Sequence, residues 1–142
     1  MDKFTAKAEM TINAPASKVW QTLTDPEMVK QWLFGTEMSV TAWEVGGKIS
    51  YKGQWEGKAY EDKGTILEIE PEKKLVSTYW SSFSGLPDAP ENYQTVAYIL
   101  TEEHAGTKLT ITQEGSKNEE SAKHSEGNWK SVLDSLKKIV EK

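Results

Sequence analysis

From Thr36 to Gly115 the chain carries strand-like alternation and tight turns, and a helical segment lies on either side of this stretch. Ahead of it, Ile12-Asn13-Ala14-Pro15-Ala16-Ser17-Lys18-Val19-Trp20 leads through Thr24-Asp25-Pro26 to Trp32. Beyond it, Gly127-Asn128-Trp129 opens the apolar stripe of a long helix. A short helical insert and one long helix must therefore share a single sheet. That layout is a sheet gripping a helix, with a cavity between the two layers.

Local signals fill in the elements. Phe4, Ala6, Ala8, Met10 and Ile12 alternate with polar residues at the period of a half-buried strand. Pro15 has no amide hydrogen to lose in a first helical turn, and Val19, Trp20 and Leu23 then share one helical face. Asp25-Pro26 starts a second short helix carrying Met28, Val29 and Trp32. Six further strands are expected: Glu37 to Trp43, Lys48 to Trp55, Lys58 to Ile69, Leu75 to Ser81, Tyr93 to Thr101 and Thr107 to Gln113. Glu44-Val45-Gly46-Gly47, Glu56-Gly57, Glu70-Pro71-Glu72-Lys73 and His104-Ala105-Gly106 supply the reversals, so neighbouring strands are antiparallel. Ser84-Gly85-Leu86-Pro87-Asp88-Ala89-Pro90, with two prolines, is an exposed loop. The fold class is α+β: a curved antiparallel sheet of about seven strands gripping a long C-terminal helix, with two short helices between strands one and two. Residues 1–142 are expected to form one such domain.

The last helix points to the site. Trp129, Val132, Leu133, Leu136 and Val140 sit at i, i+3, i+4, i+7 and i+11 and must face the sheet. Extended backwards, the same face carries Ala122, Ser125 and Glu126, which are too small or too polar to fill a core. Unfilled volume is expected beneath Ala122 to Gly127. Gly127 is tolerated in a helix most easily where the backbone approaches something closely, although a simple helix irregularity explains it equally well. The chain has 6 Trp, 5 Tyr and 3 Phe. Trp32, Phe34, Trp55, Trp80, Phe83 and Trp129 are candidates to line the volume with flat apolar surface and a few N–H donors. The plainer alternative is that a curved sheet buries aromatics anyway, with Trp20 and Trp129 in the core. Along Leu75 to Ser81, Leu75 and Tyr79 share one face and Val76 and Trp80 the other, and either face can point inward.

Composition removes several functions. A net charge of -5 without a basic stripe argues against a nucleic-acid surface, and because all 17 basic residues are Lys no bidentate guanidinium is on offer to an anion. With no Cys there are no disulfides, thiolate nucleophiles or thiolate metal sites. His104 and His124 lack ligand spacing, so neither a metal nor another cofactor is called for. No signal peptide or membrane-spanning run is recognisable, which leaves cytoplasm as the expected compartment. No catalytic residue is assigned. Glu44, Glu61 and Asp62 would act as bases only if buried, and strand-end carboxylates are commonly exposed; Tyr51, Tyr60 and Tyr98 have hydroxyls to offer a bound carbonyl.

Ala14-Pro15 with Val19-Trp20, Thr24-Asp25-Pro26, Trp32, Gly46-Gly47, Gly64 with Ile66 and Pro71, Gly106-Thr107 with Leu109, and Gly127 with Trp129 follow one another in an order that resembles the helix-grip superfamily of START domains and the birch-pollen allergen. More narrowly, the chain is similar to the C-terminal domain of the activator of the heat-shock chaperone ATPase. The resemblance implies the gripped helix and a cavity that binds a small apolar, amphipathic or lipid-like molecule. It also implies two alternatives, a module that docks on a chaperone and a cyclase- or hydratase-like enzyme, because the fold serves all three.

Overall fold

The structure is a computed structural model that describes residues 4–33, 35–82, 85–104, 106–116 and 118–141. Seven strands occur in the order β1 (Phe4–Ile12), β2 (Glu37–Val40), β3 (Lys48–Trp55), β4 (Lys58–Glu70), β5 (Lys74–Ser81), β6 (Gln94–Glu103) and β7 (Gly106–Ser116). Helices α1 (Ala16–Thr24) and α2 (Pro26–Trp32) fall between β1 and β2, and α3 (Glu119–Val140) follows β7. The strands form one antiparallel sheet in the order β1-β7-β6-β5-β4-β3-β2. The first and last strands of the meander thus lie at β2 and β7, and β1 adds itself beside β7.

The expected bounds of β1 and β3 match, whereas β2 stops at Val40 and not at Trp43. The backbone turns away there because Thr41 engages Lys48 twice: its N–H donates to the Lys48 carbonyl at 3.0 Å, and its hydroxyl accepts from the Lys48 N–H at 2.9 Å. At the β3–β4 reversal Glu56 and Gly57 both have positive φ, 51° and 81°, the pair that a two-residue hairpin needs to match strand twist.

Helix ends are set by local chemistry. The Asp25 carboxylate accepts from the Glu27 N–H at 2.9 Å ahead of Pro26, and Asn118 caps α3 by accepting from the Ser121 N–H at 2.8 Å. Glu119 and Glu120 in the first turn of α3 and Lys137 and Lys138 in its last complement the helix dipole. Trp32 closes α2 almost fully buried, and its indole N–H donates to the Thr22 carbonyl at 2.7 Å, locking α2 against α1.

The core lies between α3 and the inner sheet face. Leu133, Leu136 and Val140 are fully buried in one cluster with Ala8 and Ile12 of β1 and Leu109 and Ile111 of β7. Leu23 is buried as expected, but Trp20 is only half-buried at the margin of the core. The sheet contacts of α3 fall chiefly on β1 and β7, where Ala6 and Ala8 let the helix come close. Over the middle strands the helix and sheet diverge.

Candidate functional site

Where α3 leaves the sheet there is a cavity of about 250 Å³. Ser125, Asn128, Trp129 and Val132 of α3 border it on one side, and Trp32 and Leu33 at the end of α2 on another. Its floor is the inner face of the sheet, on which Ile49 and Tyr51 of β3, Asp62 and Gly64 of β4, Tyr79 of β5, Val96 and Tyr98 of β6 and Gln113 of β7 follow one another across the strands. The volume survives for two reasons. Ser125 on the helix is small, and Gly64 on the floor has no side chain. A side chain there would force β5 aside: a Cβ on Gly64 would lie 1.7 Å from the Thr78 carbonyl oxygen.

The polar groups of the floor form a chain of contacts. Tyr51 and Asp62 are cross-strand partners, as are Asp62 and Ser81. The Tyr79 hydroxyl donates to Asp62 Oδ2 at 3.3 Å, and the Ser81 hydroxyl also bonds this carboxylate. Asp62 Oδ1 is buried and has no hydrogen-bond partner among the described residues. Burial is the largest influence on Asp62 and raises its carboxyl pKa above the ordinary 3.8, with the Ser81 and Tyr79 hydroxyls pulling the other way. The Tyr51 and Tyr98 hydroxyls bond each other. Burial, assisted by the Asp62 charge, pushes the Tyr51 phenol up to about 12, and burial likewise raises Tyr79 and Tyr98 well above 10. All three phenols are therefore neutral at physiological pH and act as hydroxyls or apolar rings.

Trp129 is fixed twice. Its ring meets Tyr98 edge-on, with centroids 6.0 Å apart and planes at 89°, and its indole N–H donates to Gln113 Oε1 at 2.8 Å. Gln113 in turn donates to Gln94. With the Trp32 N–H committed to Thr22, neither indole has a donor left for a ligand, contrary to the expectation that tryptophan N–H groups would orient one.

Of the residues singled out from the sequence, Trp32, Ser125 and Trp129 come together on the cavity wall. Ala122 is buried one turn away from it, so the cavity sits nearer the C-terminal end of α3 than the stretch Ala122 to Gly127. Gly127 faces solvent, and a Cβ there meets nothing within 4 Å, so no close backbone approach explains it. Trp80 lies on the opposite face of the sheet. It stacks on Tyr93 at 6.4 Å, carries the Lys63 ammonium 5.4 Å above its ring, and donates its N–H to the Leu86 carbonyl at 3.2 Å. The reason is the alternation along β5: Leu75 belongs to the core, so Tyr79 points inward and Trp80 outward. Phe34 and Phe83 lie outside the described residues, as does the side chain of Trp55. Among the carboxylates, Glu44 is exposed and Glu61 accepts from the Ser50 hydroxyl at 2.9 Å, which leaves Asp62 as the one in the cavity. Asp62 carried a readable signal. It stands two and four residues before Gly64 and Ile66, and a buried Ile66 puts all three on the inner face. Tyr60, by contrast, reaches the buried Thr36 hydroxyl.

His104 and His124 are exposed, and among the described residues no group of three or more His, Asp or Glu is placed to hold a metal ion. No described helix is long and apolar enough to cross a membrane.

Residues 13–141 match the family described as activator of Hsp90 ATPase homolog 1-like protein. The chain belongs to that family. No curated protein matches it by sequence. Among solved structures, ChR145 from Cytophaga hutchinsonii is 42% identical, with 99% of this chain and 97% of that chain covered and a TM-score of 0.84. Two more distant structures share the fold. CV1439 from Chromobacterium violaceum has 24% identity, 97% of each chain covered and a TM-score of 0.78. The Aha1 dimer from Colwellia psychrerythraea has 21% identity, 97% and 96% covered and a TM-score of 0.74. The helix-grip architecture read from the sequence is thus that of the family.

Proposed function

We propose that this family member binds a small, largely apolar molecule in the cavity between the sheet and α3. The observation that carries the reading is a volume of about 250 Å³ walled by Trp32, Ile49, Tyr51, Val96, Tyr98, Trp129 and Val132, beside a core packed around Leu133 and Leu136. Protein interiors pack to the density of organic crystals, so a void of this size withholds contacts that an apolar occupant would restore. Trp129 on the wall reports occupancy directly. Titration with 2-methylnaphthalene, followed through tryptophan fluorescence and calorimetry, should give saturable binding that Ser125→Phe abolishes by filling the volume. Binding that Ser125→Phe leaves unchanged would place the probe elsewhere and defeat the proposal.

A second reading follows from the family description, a module that docks on a heat-shock chaperone ATPase. It is favoured by Trp43, Val45, Leu67 and Ile99, large apolar side chains exposed outside the cavity. The loop around Leu86 offers a further surface. It is held against the sheet by Trp80, by the Lys63–Asp88 ion pair at 2.5 Å and by Asn92, whose amide donates to the Pro87 carbonyl at 2.9 Å. Purified chaperone whose ATP turnover is unaffected by an excess of this chain would remove that reading.

A further inference from the structure

The cavity has one unmet chemical demand. Asp62 lines it, the Tyr79 hydroxyl serves Oδ2, and Oδ1 is buried without a partner among the described residues. A buried acceptor left unpaired is costly, and far more so when it belongs to a charged group. No donor among the described residues lies within hydrogen-bond distance of Oδ1. Tyr79 is committed to Oδ2, the Tyr51 and Tyr98 hydroxyls bond each other, and the Trp129 N–H is held by Gln113. Lys63 also borders the cavity, but its ammonium is turned to the outer face, 2.5 Å from Asp88 and over the Trp80 ring. Among the described residues no cation therefore faces Asp62. What does surround it is aromatic, with Tyr51, Tyr79, Tyr98 and Trp129 on the same walls.

We infer that the cavity selects an organic cation: an apolar amine whose ammonium N–H donates to Asp62 Oδ1 while its hydrocarbon body packs among the rings of Tyr51, Tyr98 and Trp129. This rests on the reading of the cavity as a ligand site and narrows it to a chemical class. A carboxylate and a set of aromatic faces act on a cation in the same direction, since ring quadrupoles present their negative face. A neutral apolar molecule would leave Oδ1 unpaired, and a carboxylate ligand would set two like charges together. Access to Oδ1 requires rotation of the carboxylate about Cβ–Cγ, a broad torsion.

Four probes of the same shape separate the possibilities: 2-naphthylmethylamine, 2-naphthylmethanol, 2-methylnaphthalene and 2-naphthoate, each titrated by calorimetry at neutral pH. The amine should bind about tenfold or more tighter than 2-methylnaphthalene, as a charge-assisted hydrogen bond provides. The alcohol should fall between them, and the naphthoate last. In Asp62→Asn the amine should lose its advantage over 2-methylnaphthalene, while a far-ultraviolet circular dichroism spectrum matching that of the unmodified chain shows an intact fold. An amine that binds no tighter than 2-methylnaphthalene or the alcohol, or whose advantage survives Asp62→Asn, overturns the inference while leaving apolar binding in place. Failure of all four probes to bind overturns the underlying reading as well. Should Asp62→Asn not fold, the ranking of the four probes on the unmodified chain decides the matter alone.

Discussion

Replacing Gly64 by Ala tests whether the cavity floor is as tightly drawn as described. An added Cβ would stand 1.7 Å from the Thr78 carbonyl oxygen, 2.6 Å from its carbon and 3.2 Å from Thr78 Oγ1. The first two are backbone atoms, so no side-chain rotation relieves the overlap. Since carbon and oxygen approach to about 3.3 Å at closest, β5 would have to retreat from β4 by about 1.6 Å at this point. A ladder bond stretched by that much is lost. The bond from the Thr65 N–H to Thr78 Oγ1, at 2.8 Å, would open too. Losing two or three such bonds at about 1 kcal/mol each, with strain added, predicts a loss of about 3 kcal/mol. Urea unfolding followed by far-ultraviolet circular dichroism, with the slope unchanged, measures this. A loss below about 1 kcal/mol would mean that β4 and β5 part easily at Gly64, and the explanation of the cavity floor would be wrong.

Gly127→Ala should act in the opposite direction: with nothing within 4 Å of the new methyl group and a helical backbone, the variant should gain about 0.5–1 kcal/mol in the same urea assay. Asp62 should impose a pH dependence on stability. Its folded pKa is raised, so the folded chain holds this proton to higher pH than the unfolded chain does, and the stability it contributes is full below the ordinary carboxyl value and lost as pH rises through the folded one. Thermal melts of the unmodified chain and of Asp62→Asn should therefore diverge in favour of the variant as pH rises from acid to neutral, and curves that stay parallel would contradict the burial of Asp62.

The fold was readable because its signals are local. Alternation from Phe4 to Ile12 and from Lys48 to Trp55 marks strands that end where it ends, Glu56-Gly57 can only turn, and Val132, Leu133, Leu136 and Val140 fix the buried face of α3. The site was less readable because it depends on which way a face points. Period-two alternation divides β5 into two faces without naming the inner one, and only the packing of Leu75 decides that Tyr79 enters the cavity and Trp80 leaves it. Asp62 was legible only in part, for a related reason. A carboxylate in a strand ordinarily faces water, and its inward placement follows from the register that sets it opposite Tyr51 and in line with buried Ile66. Gly127 misled because a glycine within a helix looks the same whether it faces a ligand or solvent. The position of the cavity along α3 depends on the lean of that helix toward β1 and β7, which no residue pattern in α3 records.

The central claim is that an apolar molecule occupies the space between α3 and the middle strands. Intermolecular nuclear Overhauser effects between 2-methylnaphthalene and the protein test it most directly. The account predicts contacts from the probe to the rings of Tyr51, Tyr98 and Trp129 and to the methyl groups of Val96 and Val132. Contacts confined to outward-facing residues such as Trp80, Leu67 or Ile99, with the interior rings undisturbed, would contradict it.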